Sequence, residues 1–361
     1  VFDFSLGNPS VPAPEVVREA IAGALDEPAC ALHGYTPAQG TPAVRAAVAG
    51  SIQRRYGCQA SPDHIYMTAG AAAGLAISLA AVTHPGDEVI VVTPYFPEYK
   101  VFIESAGCSC VEVPAREPDF QLDAAAIAAA ITPKTSALII DSPNNPTGCV
   151  WNRKQMENVM QLAVEHDFFI VSDEIYEKLL YTGEKPCSIA SLSEEAKAHT
   201  LVVNGVSKSY AMTGFRIGYT AGPRDVIKAM TNYQSQATSA PNSAAQHAAA
   251  VALSGDQACV ETMRQAFQQR RDRIVERINA IPGLSCNKPD GAFYVMMDVR
   301  PLLGKKIDGQ VIATSSDFAN ALLEKQHAVV VPGESFMADG FCRLSYATSM
   351  EAIEEGMKRL A

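Results

Sequence analysis

The sequence is poor in the features that mark nucleic-acid-binding, membrane and secreted proteins. Its 29 lysines and arginines are outnumbered by 39 aspartates and glutamates, the formal net charge is −10, and no basic tract is present, so nucleic acid is excluded as a partner. No apolar run approaches the ~20 residues of a membrane-spanning helix. The first residues, Val1-Phe-Asp-Phe-Ser5, lack the basic and apolar segments of a signal peptide. These absences predict a soluble, cytoplasmic protein.

The cysteines show no disulfide or metal pattern. There are 9, an odd number, and the one close pair, Cys108-Ser-Cys110, matches neither a zinc knuckle nor a thioredoxin motif. We therefore expect free thiols in a reducing compartment, and no metal site.

The alternation of apolar strands and helices predicts the fold class. With 361 residues and 48% hydrophobic content, the chain can bury a sizeable core. Strands are predicted at 65–68, 88–93, 110–113, 135–140, 168–172, 200–203 and 217–221. Helices are predicted at 15–25, 42–56, 75–83, 99–106, 123–131, 154–166 and 257–280. Near-continuous apolar strands between helices indicate an α/β protein whose mostly parallel sheet is covered on both faces.

The last hundred residues have a different pattern. Strands at 291–297, 328–331 and 341–345 follow the long polar helix around 257–280 and predict a smaller α+β unit. We expect a large domain at 35–260 and a small domain formed by 1–34 and 261–361, joined by the long helix.

Polar and reactive residues follow several of the predicted strands. In an open parallel sheet, ligands bind outside the carboxyl ends of the strands. The segments there are Ala69–Ala72, Pro94–Phe96, Asn144–Asn145, Asp173–Tyr176, Lys208 and Arg216.

Lys208 lies in Asn204-Gly-Val-Ser-Lys-Ser-Tyr-Ala-Met-Thr-Gly-Phe-Arg-Ile-Gly-Tyr219, directly after an apolar run. A lysine that reacts as a neutral amine needs a lowered pKa, from desolvation or a cationic neighbour. The glycines Gly214 and Gly218 would let the backbone bend around it. The alternative interpretation is an ordinary solvated lysine.

Gly70, Ala71 and Ala72 begin a helix with small residues, which leaves backbone N–H groups open to an anion. The alternative is close packing of the helix on the sheet. The segment matches neither the phosphate-binding G-x-x-x-x-G-K-[ST] motif nor the dinucleotide motif G-x-G-x-x-G.

Four further side chains have complementary chemistry. Asp173 suits a buried cation and Tyr176 an anionic oxygen, although Asp173 alone is also typical of a helix N-cap. Asn145 lies in a sequence that most often forms a turn. Arg343 lies inside an apolar strand, where an unpaired guanidinium is costly, so it should meet an anion.

A reactive lysine, an acid for a ring nitrogen, a phenol, a phosphate cradle and a carboxylate-binding arginine together describe a pyridoxal-phosphate site. The motifs Asn144-Asn-Pro-Thr-Gly148, Asp173-Glu-Ile-Tyr176, Ser207-Lys208-Ser through Arg216-Ile-Gly and Phe341-Cys-Arg343-Leu-Ser occur in one order. Over essentially its whole length the chain resembles the class I aminotransferases of the aspartate aminotransferase family, which have the fold type I architecture.

The resemblance implies an enzyme that moves an amino group from an L-amino acid to a 2-oxo acid by a ping-pong Schiff-base mechanism. A C–S or β-elimination lyase on the same fold is the alternative enzyme, because both reactions use the same carbanion. A non-catalytic ligand-binding domain is the alternative outside catalysis. The resemblance also implies a homodimer with shared active sites.

The resemblance assigns catalytic and ring-binding roles as well. Lys208 would form the Schiff base and move the substrate proton, and Asp173 would keep the cofactor ring nitrogen protonated. Tyr176 and Asn145 would bind the phenolic oxygen, and Phe96 would stack on the ring.

The remaining roles concern the phosphate and the substrate. Arg216 and the Gly70–Ala72 segment would hold the phosphate, and Tyr35 would reach the phosphate of the neighbouring subunit. Arg343, with Asn145 and the Gly7 backbone, would bind the substrate α-carboxylate. Cis peptide bonds are expected at Thr93–Pro94 and Asn145–Pro146.

The chain departs from the family pattern in two places. Gly205 stands where many relatives have a phosphate-binding serine, for which Ser207 is a candidate substitute. No residue matches the second arginine that binds a dicarboxylate side chain, which argues against aspartate as the substrate.

Overall fold

The structure is a computed structural model that describes residues 1–26, 32–184, 186–307 and 309–361. The strands are β1 Phe2–Asp3, β2 Ile65–Thr68, β3 Glu88–Thr93, β4 Ser109–Pro114, β5 Thr135–Asp141, β6 Phe169–Asp173, β7 Thr200–Gly205, β8 Gly218–Ala221, β9 Ser285–Cys286, β10 Tyr294–Asp298, β11 Lys306–Ile307, β12 Gln310–Val311, β13 Ala328–Val329, β14 Val331–Pro332 and β15 Phe341–Ser345.

The α-helices connect and cover these strands. They are α1 Glu15–Ala24, α2 Pro42–Tyr56, α3 Ala71–Val82, α4 Glu98–Ser105, α5 Ala124–Ala130, α6 Arg153–His166, α7 Glu194–Ala198, α8 Arg224–Ala237, α9 Ser243–Ser254, α10 Ala258–Asn279, α11 Ser315–Gln326 and α12 Met350–Leu360.

The described residues contain a seven-stranded sheet with the order β2-β8-β7-β6-β5-β3-β4. Strands β3 to β7 pair in parallel, whereas β8 runs antiparallel to both β7 and β2. The carboxyl ends of β5, β6 and β7 therefore meet at one edge, and the β7–β8 hairpin turns at that same edge. The predicted, mostly parallel sheet is confirmed.

The sheet is buried on both faces, which explains the near-continuous apolar strands. Successive side chains of β3 alternate between two cores: Ile90 packs with Trp151 and Phe168, whereas Val89 packs with Leu75 and Leu79. Helices on both faces exclude water from both cores.

The C-terminal part forms a four-stranded antiparallel sheet with the order β14-β15-β10-β9. The first strand joins this part of the molecule, because β1 pairs in parallel with β13 and the Phe4 carbonyl accepts a hydrogen bond from Ser345 N–H at 2.7 Å. In contrast, Val17 of α1 shares an apolar core with residues of α2 and α9. The division of the chain at residues 34 and 260 stays a prediction.

The N-cap residue and the first-turn proline predicted for α2 are confirmed. Thr41 caps the helix by accepting a hydrogen bond from Val44 N–H, Pro42 is its first residue, and Gly57 ends it with a left-handed φ of 73°. The prediction for α3 is wrong at its start, because this helix begins four residues earlier, at Ala71. Gly70, with φ 85°, is its N-cap.

The predicted cis bonds at Thr93–Pro94 and Asn145–Pro146 are present, and Glu117–Pro118 and Ser142–Pro143 are cis as well. In the described part of the chain, no helix is both long and apolar enough to cross a membrane.

Candidate active site

A cavity of about 310 Å³ opens at the carboxyl ends of the central strands. Its lining includes all the predicted site residues except Gly70 and Tyr35, namely Gly7, Ala71, Ala72, Phe96, Asn145, Asp173, Tyr176, Lys208, Arg216 and Arg343. It is also lined by Tyr99, Asp141, Ser207 and Tyr294, among others.

Three larger clefts, of about 550, 700 and 390 Å³, contain neither Lys208 nor Asp173. Volume alone does not identify a functional site. The convergence of buried ionisable groups in the smaller cavity does.

Lys208 follows β7 and points into the cavity from the β7–β8 hairpin. Its ammonium donates a hydrogen bond of 2.6 Å to the Gly7 carbonyl and lies 5.8 Å from the centre of the Phe293 ring. Burial, followed by the neighbouring guanidiniums of Arg216 and Arg343, lowers the pKa of Lys208 to about 8. The solvated-lysine interpretation does not describe this side chain.

The start of α3 forms a small concave surface beside Arg216. Gly70, Ala71 and Ala72 carry no side chain beyond a methyl group, so the first N–H groups of the helix face the cavity. Arg216 adopts a left-handed φ of 53° and donates a hydrogen bond of 2.8 Å to the Thr213 carbonyl. A side chain on Gly70 would collide with this guanidinium. The arrangement is suited to an anion such as phosphate.

Gly205 and Gly218 face each other in register at the loop end of the β7–β8 hairpin. A Cβ on Gly205 would lie 2.8 Å from the Ile217 carbonyl oxygen, so a serine here would require the backbone around it to shift. A Cβ on Gly218 would lie 2.5 Å from the Ala71 nitrogen. Gly214 differs from both, because a Cβ there would meet nothing within 4 Å. The expectation that Gly214 is needed for the bend is therefore not supported by its surroundings.

Asp173 is the last residue of β6 rather than a helix cap. Its Oδ2 accepts a hydrogen bond of 2.8 Å from the Tyr99 hydroxyl, and its Oδ1 accepts one of 3.2 Å from Ile175 N–H. Burial raises the pKa of Asp173 to about 6, although Tyr99, Ile175 N–H and Lys208 oppose the rise. The carboxyl group can thus pair with a cation at neutral pH.

The Tyr176 hydroxyl lies 2.8 Å from that of Tyr294 on β10. Burial raises the pKa of Tyr176 well above its usual value, so the hydroxyl stays protonated and can donate to an anionic oxygen. Phe96 lines the cavity and packs edge-on against Tyr99, with ring centres 5.6 Å apart.

Arg343 is buried in β15 between the rings of Tyr294 and Phe336, which lie 4.5 and 4.7 Å from the guanidinium carbon. It donates hydrogen bonds to Asn145 Oδ1 at 2.9 Å and to the Ser5 carbonyl at 2.6 Å. Both acceptors are neutral, and within the described ranges no carboxylate oxygen lies within 4 Å of it. The anion that the sequence predicted for Arg343 is therefore left to a ligand.

Tyr35 is fully exposed and lies outside the cavity. Ser207, the candidate substitute for the missing serine, is buried and lines the cavity beside Lys208.

Tyr99, Asp141 and Tyr294 are site residues that the sequence reasoning missed. Tyr99 lies in the first turn of α4, three residues after Phe96, and both side chains line the cavity. Asp141 ends its strand as Asp173 ends the next, and this shared position is the signal that could have identified it.

Known proteins resemble this chain over its whole length. Residues 1–360 match the family model described as Aminotransferase class I and II. An aspartate aminotransferase of Bacillus sp. (strain YM-2) is 41% identical over 361 residues, covering 100% of this chain and 90% of that protein. An aspartate/prephenate aminotransferase of Thermus thermophilus is 42% identical, covering 98% of this chain and 89% of that protein. The crystal structure of the aspartate aminotransferase from Rhizobium meliloti superimposes with a TM-score of 0.95 at 38% identity, covering 100% of this chain and 90% of that one.

Proposed function

Because the chain belongs to the aminotransferase class I and II family and is an aminotransferase, we propose that the cavity at Lys208 is its active site and that pyridoxal phosphate is its cofactor. The observation that supports this most is that a buried lysine with a lowered pKa, a buried carboxyl group and a buried arginine without an anion share one cavity. Each of the three matches one requirement of amino-group transfer through a pyridoxal cofactor.

The residues present fit this cofactor. The backbone of Gly70–Ala72 with Arg216 suits its phosphate, and Asp173, which lines the same cavity, suits its ring nitrogen. Tyr176 and Asn145 would hold its phenolic oxygen, Phe96 would lie against its ring, and Lys208 would bind its aldehyde as a Schiff base. When bound, pyridoxal phosphate supplies an aldehyde that condenses with amines and a ring that accepts the electron pair left at the amino-acid α-carbon.

Lys208 has two tasks in this proposal. With a pKa near 8, a useful fraction of its amine is neutral at slightly alkaline pH, which a nucleophile and a general base both require. Once the substrate amine replaces it, Lys208 Nζ would take the proton from the substrate α-carbon. It would then deliver this proton to the former aldehyde carbon of the cofactor, the carbon that keeps the amino group.

Asp173 and Arg343 fix the charges at the two ends of the site. The Asp173 carboxylate would keep the ring nitrogen protonated, helped by the Tyr99 hydrogen bond that favours its charged form. The Arg343 guanidinium would bind the substrate α-carboxylate as a forked, charge-assisted pair, with Asn145 and the Gly7 backbone beside it.

The amino donor is an L-amino acid and the acceptor a 2-oxo acid. A dicarboxylate such as aspartate, which the names of the relatives suggest, needs a second cation. Among the described residues, the cations that line the cavity are Lys208, Arg216 and Arg343, and each already has a task. A cation for a side-chain carboxylate would have to come from outside this set, for example from a partner subunit.

The lyase and the non-catalytic alternatives are not favoured. The relatives of about 40% identity that cover the whole chain are aminotransferases by name. The lyase also makes a separate chemical prediction, namely release of pyruvate from an S-substituted cysteine without any amino acceptor.

We further propose a cytoplasmic homodimer with shared sites. The eight cysteines that the structure describes are free thiols, as expected in a reducing compartment. Tyr35 is fully exposed in the single chain, and in the proposed dimer it would reach the phosphate of the neighbouring subunit.

A half-reaction screen tests the proposal. The purified holoenzyme is mixed with one amino acid at a time and no acceptor, and the absorption of the cofactor is followed. Conversion to the amine form with release of one 2-oxo acid per site supports transamination and identifies the donor. Catalytic release of pyruvate and ammonia in this experiment would overturn it in favour of the lyase.

A further inference from the structure

Asp141, the last residue of β5, is a buried carboxyl group to which the proposed mechanism gives no task. It pairs in register with Asp173, the last residue of β6. Neighbouring strands are ~4.8 Å apart, so two carboxyl groups end side by side. They are 4% and 5% exposed, and both line the cavity.

The hydrogen bonds of Asp141 use only one of its oxygens. Oδ2 accepts a bond of 2.9 Å from Asn145 N–H. Oδ1 is buried and has no hydrogen-bond partner anywhere in the described part of the chain. Because Asn145 in turn holds Arg343, Asp141 connects the carboxyl side of the cavity to the substrate-binding side.

The ionisable groups that face Asp141 offer it no cation. They are Asp173 on β6, Tyr99 on α4, Tyr176 after β6 and Tyr294 on β10, together with the thiol of Cys149. In the described ranges, no lysine, arginine or histidine nitrogen lies within 4 Å of Asp141. Lys208 acts on Asp173 instead.

Two adjacent carboxyl groups without a cation each cannot both ionise at low cost. Burial, followed by the charge of Asp173, raises the pKa of Asp141 well above its usual range, although Asn145 N–H and the Tyr99 hydroxyl oppose the rise. The pKa of Asp173 rises only to about 6, because Tyr99, Ile175 N–H and Lys208 favour its charged form. The two carboxyl groups therefore differ in their surroundings, because a cation, Lys208, favours the charged form of Asp173 and none favours that of Asp141.

We propose that Asp141 is a positioning residue that holds the proton of this carboxyl pair and leaves Asp173 as its single anion. As a neutral acid, Asp141 fixes Asn145 and places no second negative charge beside the ring-binding carboxylate. Its Oδ1, which has no partner among the described residues, is free to carry the proton. The inference rests on the proposed function only for the role of Asp173.

The first test uses the chain without cofactor or substrate. Infrared difference spectra of wild-type protein and Asp141→Asn, with aspartate labelled in its carboxyl carbon, show whether Asp141 is protonated near neutral pH. We expect the band of a protonated carboxyl group in the wild type and its loss in the variant. A spectrum in which the variant loses only a carboxylate band would overturn the proposal.

Asp173→Asn provides a second variant that still contains Asp141. Removing the neighbouring charge should move the titration of the Asp141 band to lower pH by about one unit or more. An unchanged titration would mean that the two groups do not share a charge.

Thermal unfolding of the apoprotein gives a readout that a purely structural role would not move. The unfolded chain ionises Asp141 above about pH 4, whereas the folded chain keeps the proton, so the wild type loses stability as pH rises. Asp141→Asn should therefore gain in unfolding temperature relative to the wild type from about pH 5 to about pH 8. Asp225→Asn, which removes one exposed carboxylate at the start of α8, should show a constant difference. A constant difference for Asp141→Asn as well would contradict the proposal.

In the holoenzyme, the acid limb of kcat/KM should stay in place in Asp141→Asn, since one neutral group replaces another. An ionised Asp141 would instead have raised the pKa of Asp173, and its loss would move the limb to lower pH by about one unit or more. The infrared and thermal-unfolding experiments use the apoprotein, which catalyses no reaction. Their outcome therefore does not depend on whether the holoenzyme is a transaminase.

Discussion

The Tyr99 hydroxyl donates a 2.8 Å hydrogen bond to Oδ2 of Asp173, across 74 residues of sequence. This bond favours the carboxylate and so opposes the effect of burial. In Tyr99→Phe the pKa of Asp173 should rise above about 6, and activity should be lost at a higher pH as the solution is acidified. We expect the acid limb of kcat/KM to move up by about one pH unit.

Tyr95→Phe is the matched control. Tyr95 stacks on Tyr99 with ring centres 6.3 Å apart, but its hydroxyl donates to Glu112 instead. An equal displacement of the acid limb in both variants would show that the Tyr99 bond has no specific effect on Asp173.

Burying Lys208 should reduce the stability of the apoprotein. Its pKa is about 8 in the folded chain and about 10.4 in an unfolded one, so between these values the unfolded chain binds more protons. Wild-type stability should therefore rise with pH in this window. Lys208→Met should be more stable than the wild type by on the order of 3 kcal/mol below about pH 8, and the difference should shrink toward about pH 10.

Denaturant unfolding of the two apoproteins at several pH values measures this difference. Lys228→Met, at an exposed position of α8, is the control and should show no such dependence. If the Lys208→Met difference did not change with pH, the lysine would have an ordinary pKa in the folded chain.

Gly218→Ala should weaken phosphate binding. The added methyl group would lie 2.5 Å from the Ala71 nitrogen and 2.5 Å from the Gly70 carbonyl carbon, so the start of α3 must move. We expect the dissociation constant of pyridoxal phosphate to increase about tenfold, the equivalent of a 1–3 kcal/mol packing clash. Equilibrium titration of the apoprotein provides the measurement. Gly214→Ala makes the same chemical change where no atom lies within 4 Å, and it should bind normally.

Arg343→Gln should chiefly impair substrate binding. Loss of a charge-assisted pair costs roughly 1.5–3 kcal/mol, so KM for the amino acid should rise about 10- to 100-fold. Arg300→Gln is the control, because Arg300 stacks on Phe341 of the same strand, β15, but binds Asp298 and Glu117 outside the cavity. A lower kcat with an unchanged KM for Arg343→Gln would reject the assigned role.

The shared-site dimer can be tested by mixing two inactive or weakened variants, Tyr35→Ala and Lys208→Ala. A hybrid dimer has one site that combines Lys208 of the first chain with Tyr35 of the second. Random mixing should restore about one quarter of the wild-type activity, since about half of the dimers are hybrids with one intact site. Activity that never exceeds the sum of the separate variants would place Tyr35 in its own subunit's site or in none.

The sequence predicts much of the sheet because each strand carries its own signal. The apolar runs at β2 and β3 have the predicted bounds, and the N-cap threonine with proline defines α2. The sequence reasoning did not predict helices α7, α8, α9, α11 and α12. Helix α9, for example, is rich in alanine, so its apolar side is weakly marked.

The candidate site, like the fold, can be predicted only in part from the sequence. Lys208, Asp173 and Arg343 lie in motifs whose chemistry can be read locally. Asp141, Tyr99 and Tyr294 become site residues only through strand register and strand order, which no local pattern specifies. The roles of Tyr99 and Tyr294 follow from partners 74 and 118 residues away.

The hairpin between β7 and β8 has a consequence for how this enzyme can vary. The connection between its strands begins and ends at the facing pair Gly205 and Gly218, and it contains both the Lys208 amine and the Arg216 guanidinium, to which we assign the cofactor phosphate. Connections that join strands ordinarily tolerate added or deleted residues. Here a residue added between Lys208 and Arg216 would change the distance between the two side chains, so this largely buried connection should keep a constant length while exposed loops vary in length.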